Sequence, residues 1–298
     1  MDQTPNINVL VSKGGKYYSL LDSGDGKRLE QIGQYRFVRP AVQAMWKPKL
    51  SEADWNAIHA AFIPNHSESG GKWQMKKALP ESWNITYKFL HFKAFLANSR
   101  HVGFFPEQSP HWDWIYQKVS TNPKPIRVLN LFGYTGIASL AAAAAGATVT
   151  HVDASKKTLQ IAKENQQLSQ LQNSHIRWIM DDAIKFLRRE QRRGAQYDGI
   201  ILDPPKFGRG PKGEVWEFFD LLPMLLELCN QVLSKQPLFF LLTAYAIQAS
   251  ALTLYNTVSD FIKFPAGELT CGELMLEEQS AQRLLPMAIY VRWQNRAE

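Results

Sequence analysis

The sequence predicts an α/β fold, built on a doubly wound and mainly parallel sheet with an antiparallel C-terminal strand pair, plus a smaller N-terminal β-rich domain. From residue 126 onward, five short apolar runs alternate with helical patterns, which is typical of a parallel sheet with helices on both faces. The tail holds two alternating runs with no room for a helix between them, so they predict antiparallel strands. Residues 1–115 are instead rich in aromatic residues, turn residues and short alternating runs.

The composition is that of a globular protein. The chain has 298 residues, of which 45% are hydrophobic and 20% charged, enough for two domains with separate cores. The formal net charge of +7 is compatible with a polyanionic partner such as RNA or DNA. Surface lysines that only keep the chain in solution are the alternative explanation.

Several protein classes are disfavoured. The two cysteines, Cys229 and Cys271, have no metal-binding spacing, so we expect no metal site and free thiols in a reducing, cytoplasmic compartment. The segment Met1–Leu10 is polar and has no signal-peptide pattern. The longest apolar runs, residues 137–147 and 238–247, are shorter than the roughly 18 residues that a bilayer span needs. The oligomeric state is not indicated.

We place the domain boundary between residues 115 and 116. In the N-terminal part, strands are expected at residues 16–21, 34–38, 83–89 and 92–96, a helix capped by Ser51 at 51–62, and a polar loop at 65–71. Residues 22–26 are expected to form the turn between the first two strands. The aromatic residues around His111, Trp112 and Trp114 predict either a β-domain core or a surface that stacks an unpaired base.

The C-terminal part alternates strands and helices. Strands are expected at residues 126–130, 149–153, 176–180, 199–202 and 238–243, and tail strands at 268–276 and 287–293. Helices are expected at residues 137–145, 156–168, 183–193, 216–233 and 249–261. In such a sheet, ligands bind at the carboxyl ends of the strands.

A glycine-containing turn joins the first of these strands to its helix. Gly133 and Gly136 have the spacing G-x-x-G rather than the three-glycine spacing of dinucleotide sites. Glycine permits a positive φ and lets a ligand approach the main chain closely. A ligand without a phosphate would need no more than this, although an ordinary tight turn has the same pattern.

Acidic residues follow the next two strands. Asp153 ends the second strand, where a carboxylate can accept hydrogen bonds from ribose hydroxyls, although it could instead help Ser155 to cap a helix. After the third strand, Asp182 could accept from an adenine amino group while the Ala183 N–H donates to a ring nitrogen. Helix capping is the alternative there, and Asp181 could do only that.

The tetrapeptide Asp203-Pro204-Pro205-Lys206 follows the fourth strand and carries the predicted catalytic residues. It places a carboxylate at the mouth of the cleft, and two prolines stiffen the loop and leave carbonyls without local N–H partners. Such a loop can accept hydrogen bonds from a planar base or an amine. A plain loop breaker is the alternative.

Together these motifs resemble class I S-adenosylmethionine-dependent methyltransferases, which have a Rossmann-like fold. They are most similar to the bacterial large-subunit rRNA methyltransferase family whose best-known members modify cytosine carbon-5. The resemblance covers the chain from about residue 100 onward. It is carried by residues 103–108, 130–136, 152–155, 181–183 and 203–207.

The resemblance implies an enzyme that uses S-adenosylmethionine to methylate a base in RNA, with ribosomal RNA as the partner. It assigns cofactor contacts to Gln108, Asn130, Phe132, Gly133, Tyr134, Thr135, Gly136, Asp153, Ala154, Asp182 and Ala183. Among these, the turn would hold the methionine part, Asp153 the ribose and Asp182 the adenine. Gln108 would contact the amino-acid end of the cofactor.

The sequence departs from that family in two places. The cysteine expected after the fifth strand is missing from residues 242–246, which read Leu-Thr-Ala-Tyr-Ala, so covalent carbon-5 chemistry lacks its nucleophile. Asp203 would then orient an amine or ring nitrogen for direct transfer. The N-terminal part does not read as that family's RNA-binding module, although it could contact the substrate.

Two basic clusters could hold phosphates. They are Lys206, Arg209 and Lys212 after the predicted catalytic loop, and Arg188, Arg189, Arg192 and Arg193 at a helix end. The arginines could equally be a solvated helix end that complements the helix dipole.

Two other functions stay open. An NAD-dependent oxidoreductase could use the same architecture, but the missing third glycine, the D-P-P loop and the tail strand pair argue against it. A non-catalytic cofactor-binding module is suggested by the absent cysteine.

Overall fold

The computed structural model describes residues 5–65 and 70–295. The expected polar loop at 65–71 and the polar N-terminal segment fall partly on residues outside these ranges. The chain forms two compact units. One, the α/β unit, comprises Met1–Leu10, His111–Glu273 and Ala288–Glu298; the other, the β-rich unit, comprises Val11–Pro110 and Leu274–Met287. The sequence predicts a single division at residue 115, whereas here Met1–Leu10 is grouped with the α/β unit and Leu274–Met287 with the β-rich unit.

The strands and helices are numbered along the chain. The strands are β1 (Ile7–Ser12), β2 (Tyr18–Gly24), β3 (Lys27–Ile32), β4 (Tyr35–Pro40), β5 (Ala60–Pro64), β6 (Gly71–Met75), β7 (Trp83–Tyr87), β8 (Leu90–Ala94), β9 (Arg127–Leu131), β10 (Thr148–Asp153), β11 (Ile176–Met180), β12 (Gly199–Leu202), β13 (Phe207–Arg209), β14 (Val215–Glu217), β15 (Phe239–Ala244), β16 (Gly267–Glu277) and β17 (Leu284–Asn295). The α-helices are α1 (Glu52–Asn56), α2 (Ser109–Ser120), α3 (Ile137–Ala144), α4 (Lys156–Leu168), α5 (Ala183–Arg192), α6 (Phe218–Val232) and α7 (Ala251–Phe261). A 3₁₀ turn covers Pro106–Gln108.

An eight-stranded sheet has the order β1-β16-β17-β15-β12-β9-β10-β11. Strands β15, β12, β9, β10 and β11 are parallel, and β17 is antiparallel to β15. From β9 the chain adds β10 and β11 on one side, then returns to add β12 and β15 on the other. This arrangement confirms the predicted doubly wound, mainly parallel sheet with its antiparallel C-terminal strands, and it places the switch point between β9 and β12.

The strand register aligns the carboxyl ends of the parallel strands. Leu131 lies opposite both Val152 and Leu202. Asp153 lies opposite Met180 on the next strand. The loops that follow these strands therefore begin at a common edge of the sheet.

Helices cover both faces of the sheet, as expected for apolar strands with no polar face. On one face, α5, α6 and α7 bury a core that includes Phe186, Leu225, Val258 and Phe240. On the other face, α2 and α3 pack through Ile115, Val119 and Ala142. The starts of α4 and α5 are predicted by their capping residues. Ser155 accepts from the Thr158 N–H at the start of α4, and Asp182 accepts from the Lys185 N–H at the start of α5.

Two elements near the carboxyl edge differ from the sequence prediction. The helix expected at residues 216–233 begins at Phe218, because residues 207–209 and 215–217 pair as the hairpin β13–β14. Helix α2 was not expected, although His111, Ile115 and Val119 have its i, i+4, i+8 spacing and are buried. The idea that His111 and Trp114 belong to a β-domain core is wrong, since they contact Tyr290 and Phe239 within the α/β unit.

The β-rich unit contains a five-stranded sheet in the order β2-β3-β4-β5-β6 and a separate pair, β7–β8. The sequence does not predict β3, because the turn residues at positions 22–26 indicate one longer turn. The turn consists only of Asp25 and Gly26, whose φ values of 49° and 72° are those of a tight two-residue hairpin. Ser51 caps α1 as predicted, but the helix ends at Asn56 because the next apolar run is β5.

A buried ionic cluster fixes the first three strands of this unit. Glu30 is fully buried and accepts from Tyr18 Oη at 2.8 Å and from Arg39 Nε at 2.6 Å. Arg28 Nε lies 3.2 Å from the same carboxylate but lacks the alignment of a hydrogen bond. Burial alone would raise the pKa of Glu30, but the two guanidinium groups outweigh it and hold that pKa below its ordinary value.

No helix in the described ranges is long and apolar enough to cross a membrane. The same ranges contain no group of three or more His, Cys, Asp or Glu side chains that could hold a metal ion.

Replacing Glu30 with alanine should reduce the free energy of unfolding by about 3–5 kcal/mol, because two buried guanidinium groups lose their counter-charge. Chemical denaturation followed by circular dichroism would measure the change. The exposed Glu81→Ala variant is the matched control and should change stability by less than about 0.5 kcal/mol. Equal stability of the two variants would show that the cluster does not stabilise the fold.

Candidate active site

The predicted site residues of the α/β unit follow the aligned ends of four neighbouring strands. The glycine turn follows β9, Asp153 and Ala154 end β10, Asp182 and Ala183 follow β11, and Asp203 follows β12. The Asp203 N–H lies 3.4 Å from the Leu131 carbonyl, across the switch point. The residues that the sequence proposed separately therefore lie along one edge. Gln108 lies in the β-rich unit, where it is buried in the 3₁₀ turn.

The glycine turn, residues 132–136, has an unusual backbone. Phe132 and Tyr134 have φ values of 58° and 51°, and Gly136 has 87°. Only Gly136 needs its glycine for a positive φ. At Gly133 the reason is different from the expected one: a Cβ would lie closer than 3.0 Å to two ring atoms of His151. The turn thus rests directly on a side chain of β10.

A buried polar chain supports the turn from below. Asn130 Nδ2 donates to Ser139 Oγ at 2.9 Å, and Ser139 Oγ lies 2.9 Å from His151 Nδ1. All three side chains are buried. The turn is also held at Thr135, a buried residue whose carbonyl accepts from Asn165 Nδ2 at 3.0 Å. The amide of Asn130 is directed at Ser139, so its side chain supports the turn from within the unit.

Asp153 joins the turn to the end of β10. Its Oδ2 accepts from the Tyr134 N–H at 2.9 Å, and its Oδ1 accepts from the Ser155 N–H and Thr158 Oγ1, both at 2.8 Å. The helix-capping alternative is therefore correct for Oδ1. Oδ2 accepts one bond from the described residues and has a second lone pair for another donor. Burial raises the pKa of Asp153, and these three hydrogen bonds act against the increase.

The two acids after β11 have different surroundings. Asp182 caps α5 by accepting from the Lys185 N–H at 2.9 Å, through Oδ1 alone. Asp181 is paired with Arg189 and accepts from the Asp182 N–H, so its role extends beyond capping. Ala183 is buried at the first position of the helix. Asp182 is half-buried and has one carboxylate oxygen not engaged in the cap.

The loop after β12 is held more firmly than the sequence suggests. Asp203 is half-buried, Pro204 buried, and Pro205 and Lys206 exposed. Two carbonyls of the loop, which the sequence predicts to lack local N–H partners, are bound by N–H groups farther along the chain. The Pro205 carbonyl accepts from Trp216 Nε1 at 2.6 Å, and the Lys206 carbonyl accepts from the Phe218 N–H at 3.0 Å.

Trp216 is a site residue that sequence reasoning missed. Its buried indole packs against the Phe132 ring, with a centroid distance of 4.9 Å, while its N–H binds the Pro205 carbonyl. One side chain therefore links the glycine turn to the D-P-P loop. The signal was present as a lone tryptophan a short distance after two prolines, but the residue was assigned to the helix.

Neither cysteine provides a nucleophile at this edge. Cys229 and Cys271 are free thiols and both are fully buried. Burial raises the pKa of each thiol, which disfavours the reactive thiolate.

These residues fit an adenosyl group with a charged amino-acid end. Gly136 is the N-cap of α3 and has no side chain to cap the helix, so the first N–H groups of α3 can meet a carboxylate. Asp153 offers an acceptor for a hydroxyl, and Asp182 offers one for an amine. A ligand can make all of these contacts without carrying a phosphate group.

Comparison with known proteins identifies the family of the chain. A family model described as S-adenosylmethionine-dependent methyltransferase matches residues 55–253. The chain belongs to this family. The chain is similar to the solved structure of an S-adenosylmethionine-dependent methyltransferase from Agrobacterium tumefaciens. The two are 44% identical, with a TM-score of 0.92, and the match covers 99% of this chain and 98% of that one. A methyltransferase from Streptococcus mutans shares the fold at 16% identity, with a TM-score of 0.69 and coverage of 93% and 76%.

Curated relatives match a shorter stretch. A protein named ribosomal RNA large subunit methyltransferase I from Serratia proteamaculans is 45% identical over 108 residues, which is 35% of this chain and 27% of that protein. The protein of the same name from Aeromonas salmonicida is 37% identical over 113 residues, or 38% and 28%. The chain therefore spans about a quarter of the length of these relatives.

Replacing Gly133 with alanine should reduce stability by about 1–3 kcal/mol and weaken cofactor binding, because the new methyl group overlaps the His151 ring. Thermal unfolding and calorimetry with S-adenosylhomocysteine would measure both effects. The double variant Gly133→Ala, His151→Ser removes the overlap and should recover part of the binding. No recovery would mean that the ring does not set the turn.

The site should lose stability in mild acid through His151. Burial lowers the pKa of His151 to about 3, from 6.5 when exposed. Between these values the unfolded chain binds the extra proton, so stability falls as the pH falls below about 6.5. This residue alone should cost on the order of 2 kcal/mol between pH 7 and pH 5. Urea denaturation at both pH values should show a smaller loss in His151→Gln; an identical loss would contradict the assignment.

Proposed function

We propose that this chain transfers the methyl group of S-adenosylmethionine to a nitrogen of a base in RNA, with ribosomal RNA as the substrate class. The observation that carries the proposal is the alignment of the glycine turn, Asp153, Asp182 and Asp203 along one edge, with Asp203 at the switch point. The partial match to proteins named as ribosomal RNA methyltransferases supports the choice of RNA. A cytoplasmic location stays a prediction.

In this proposal the glycine turn and the N-terminus of α3 bind the amino-acid end of the cofactor. Oδ2 of Asp153 accepts from a ribose hydroxyl, while Asp182 and the Ala183 N–H bind the edge of the adenine. Phe132, Tyr134, Thr135 and Ala154 line the same stretch of backbone. The bound cofactor supplies an electrophilic methyl group.

The chemistry then rests on positioning by the loop that follows β12. Asp203 accepts a hydrogen bond from the target amine and directs the nitrogen lone pair at the methyl group. The nitrogen bonds to the methyl carbon as the carbon–sulfur bond breaks, and that electron pair stays on sulfur, which leaves S-adenosylhomocysteine. The proton of the methylated nitrogen passes to the Asp203 carboxylate and from there to water. Pro204 and Pro205 stiffen the loop, and the Trp216 indole fixes it against the glycine turn.

Direct attack by nitrogen is favoured over covalent attack on a pyrimidine ring. Both thiols are buried and their pKa values are raised, so neither supplies the nucleophile that carbon-5 chemistry requires. The exposed side chains of Lys206, Arg209 and Lys212, in the loop and hairpin that follow Asp203, are suited to phosphates of the substrate.

The family membership removes the support for an NAD-dependent oxidoreductase. A non-catalytic module stays as an outcome of the test. Ribosomal RNA from a strain that lacks this protein should accept radiolabelled methyl groups from S-adenosylmethionine when the purified chain is added. RNA from the parent strain is the control and should accept few. Transfer to protein or to small molecules alone would overturn the RNA substrate and leave the cofactor assignment intact.

Two carboxylates should separate binding from chemistry. Asp203→Asn should lower kcat at least about 100-fold and leave the Kd for S-adenosylhomocysteine within about twofold, because it acts on the substrate nitrogen. Asp153→Asn should weaken S-adenosylhomocysteine binding roughly 10- to 100-fold, because it loses a charged hydrogen bond to ribose. Calorimetry and single-turnover kinetics would measure both. Normal turnover in Asp203→Asn would assign the chemistry to another group. Absence of transfer to any acceptor by the parent chain would favour the non-catalytic alternative.

A further inference from the structure

A cluster of basic side chains lies on the β-rich unit, outside the predicted catalytic region. It consists of Arg36 on β4, His59 just before β5, and Lys76 and Lys77 just after β6. We call these four residues the β-unit basic patch. Lys76 and Lys77 are exposed, while Arg36 and His59 are half-buried.

The backbone holds the four residues together. The His59 N–H donates to the Arg36 carbonyl at 2.8 Å, and the His59 carbonyl accepts from the N–H groups of Lys76 and Lys77 at 2.8 and 3.1 Å. Three chain segments therefore converge on His59. These bonds fix the backbone positions of the four residues beside one another.

The orientation of the His59 ring is also fixed. Its Nδ1 accepts from the Arg36 N–H at 3.1 Å, so the neutral ring carries its proton on Nε2. Tyr35 packs edge-on against the ring, with centroids 5.1 Å apart. The four residues carry two ammonium groups, one guanidinium and one imidazole N–H, and the charges of Lys77 and Arg36 act on the His59 ring.

The positive charge of the patch is not neutralised within the described residues. In residues 5–65 and 70–295, no carboxylate forms an ion pair with Arg36, Lys76 or Lys77. Arg36 Nε donates to the neutral Gln31 Oε1 at 3.4 Å. Desolvation lowers the pKa of His59, and the positive charges of Lys77 and Arg36 lower it further, against an opposing hydrogen bond with the Arg36 backbone.

Cations that lie close together without counter-charges repel one another, and a bound phosphate relieves this repulsion. We infer that the β-unit basic patch binds the phosphate backbone of the RNA substrate. This inference rests on the proposed function for the identity of the polyanion. It assigns the β-rich unit a role in binding RNA that is separate from the methyl transfer at the sheet edge.

The test compares two full-length variants of equal charge. The patch variant carries Arg36→Gln, Lys76→Gln and Lys77→Gln; the control carries Lys124→Gln, Lys163→Gln and Lys235→Gln, all exposed on the α/β unit. Fluorescence anisotropy with a short labelled single-stranded RNA would give Kd at several salt concentrations. The patch variant should bind at least about tenfold more weakly at physiological salt, and the slope of log K against log salt should fall by about 2. The control should bind as the parent chain does.

His59 provides a second readout that loss of folding could not imitate. A bound phosphate should raise the pKa of His59, so its ring proton resonance should titrate at higher pH in the presence of the RNA, with His59→Gln used to assign it. Equal binding by the patch and control variants, or an unchanged His59 titration, would overturn the inference. If the patch variant binds RNA with the parental Kd and still methylates it, the inference about the patch is overturned and the proposed function stands. If RNA binding depends on the patch but the parent chain transfers no methyl group to RNA, only the proposed function is overturned.

Discussion

Two N–H groups of the glycine turn donate to the end of the neighbouring strand β10. Gly133 donates to the Val152 carbonyl at 3.1 Å, and Tyr134 donates to the Asp153 carboxylate at 2.9 Å. Because the turn follows β9, these bonds hold the loop of one strand on the end of the next. This geometry places two non-glycine residues at positive φ, a strained conformation that persists only when the surrounding structure holds it. The geometry of the glycine turn relative to Asp153 depends on this attachment.

The support beneath the turn explains why a polar chain is buried in an otherwise apolar sheet. Asn130, Ser139 and His151 are hydrogen-bonded to one another, so burial leaves few of their polar atoms unsatisfied. A histidine that fills the space under Gly133 has a defined shape and a defined donor pattern, which an aliphatic side chain of similar size lacks. The same burial makes the neutral form of His151 strongly preferred.

Much of the α/β unit could be predicted from the sequence. The strands at residues 176–180 and 199–202 were predicted with the observed limits, because short apolar runs between polar segments have few alternative structures. The capping roles of Ser155 and Ser51 followed from residue type alone. The edge at which Asp153 and Asp203 lie followed from topology, since parallel strands bring their carboxyl ends together.

The parts that could not be predicted depend on contacts between distant residues. The strands β13 and β14 have three residues each, too few for a periodic signal, so Trp216 was placed in a helix and its bond to Pro205 was missed. Gly133 looked like a residue chosen for its backbone freedom, but its neighbour in space is His151, and no local pattern reveals that. The partner of Asp181 is Arg189 two helical turns away, which a capping rule does not consider.

The assignment of Leu274–Met287 to the β-rich unit has a consequence for any attempt to divide the molecule. In that segment, Arg283 and Glu278 form ion pairs with each other and, through Arg283, with Asp22 of β2. The chain thus leaves the β-rich unit after Pro110 and returns to it near its end. A fragment ending at residue 110 would lack Arg283, the ionic partner of Asp22. A fragment starting at residue 111 would carry the β16–β17 hairpin, but it would lack the rest of the β-rich unit to which the tip of that hairpin belongs. Limited proteolysis at one position would therefore yield two pieces that stay associated, and neither half would be expected to fold well when expressed alone.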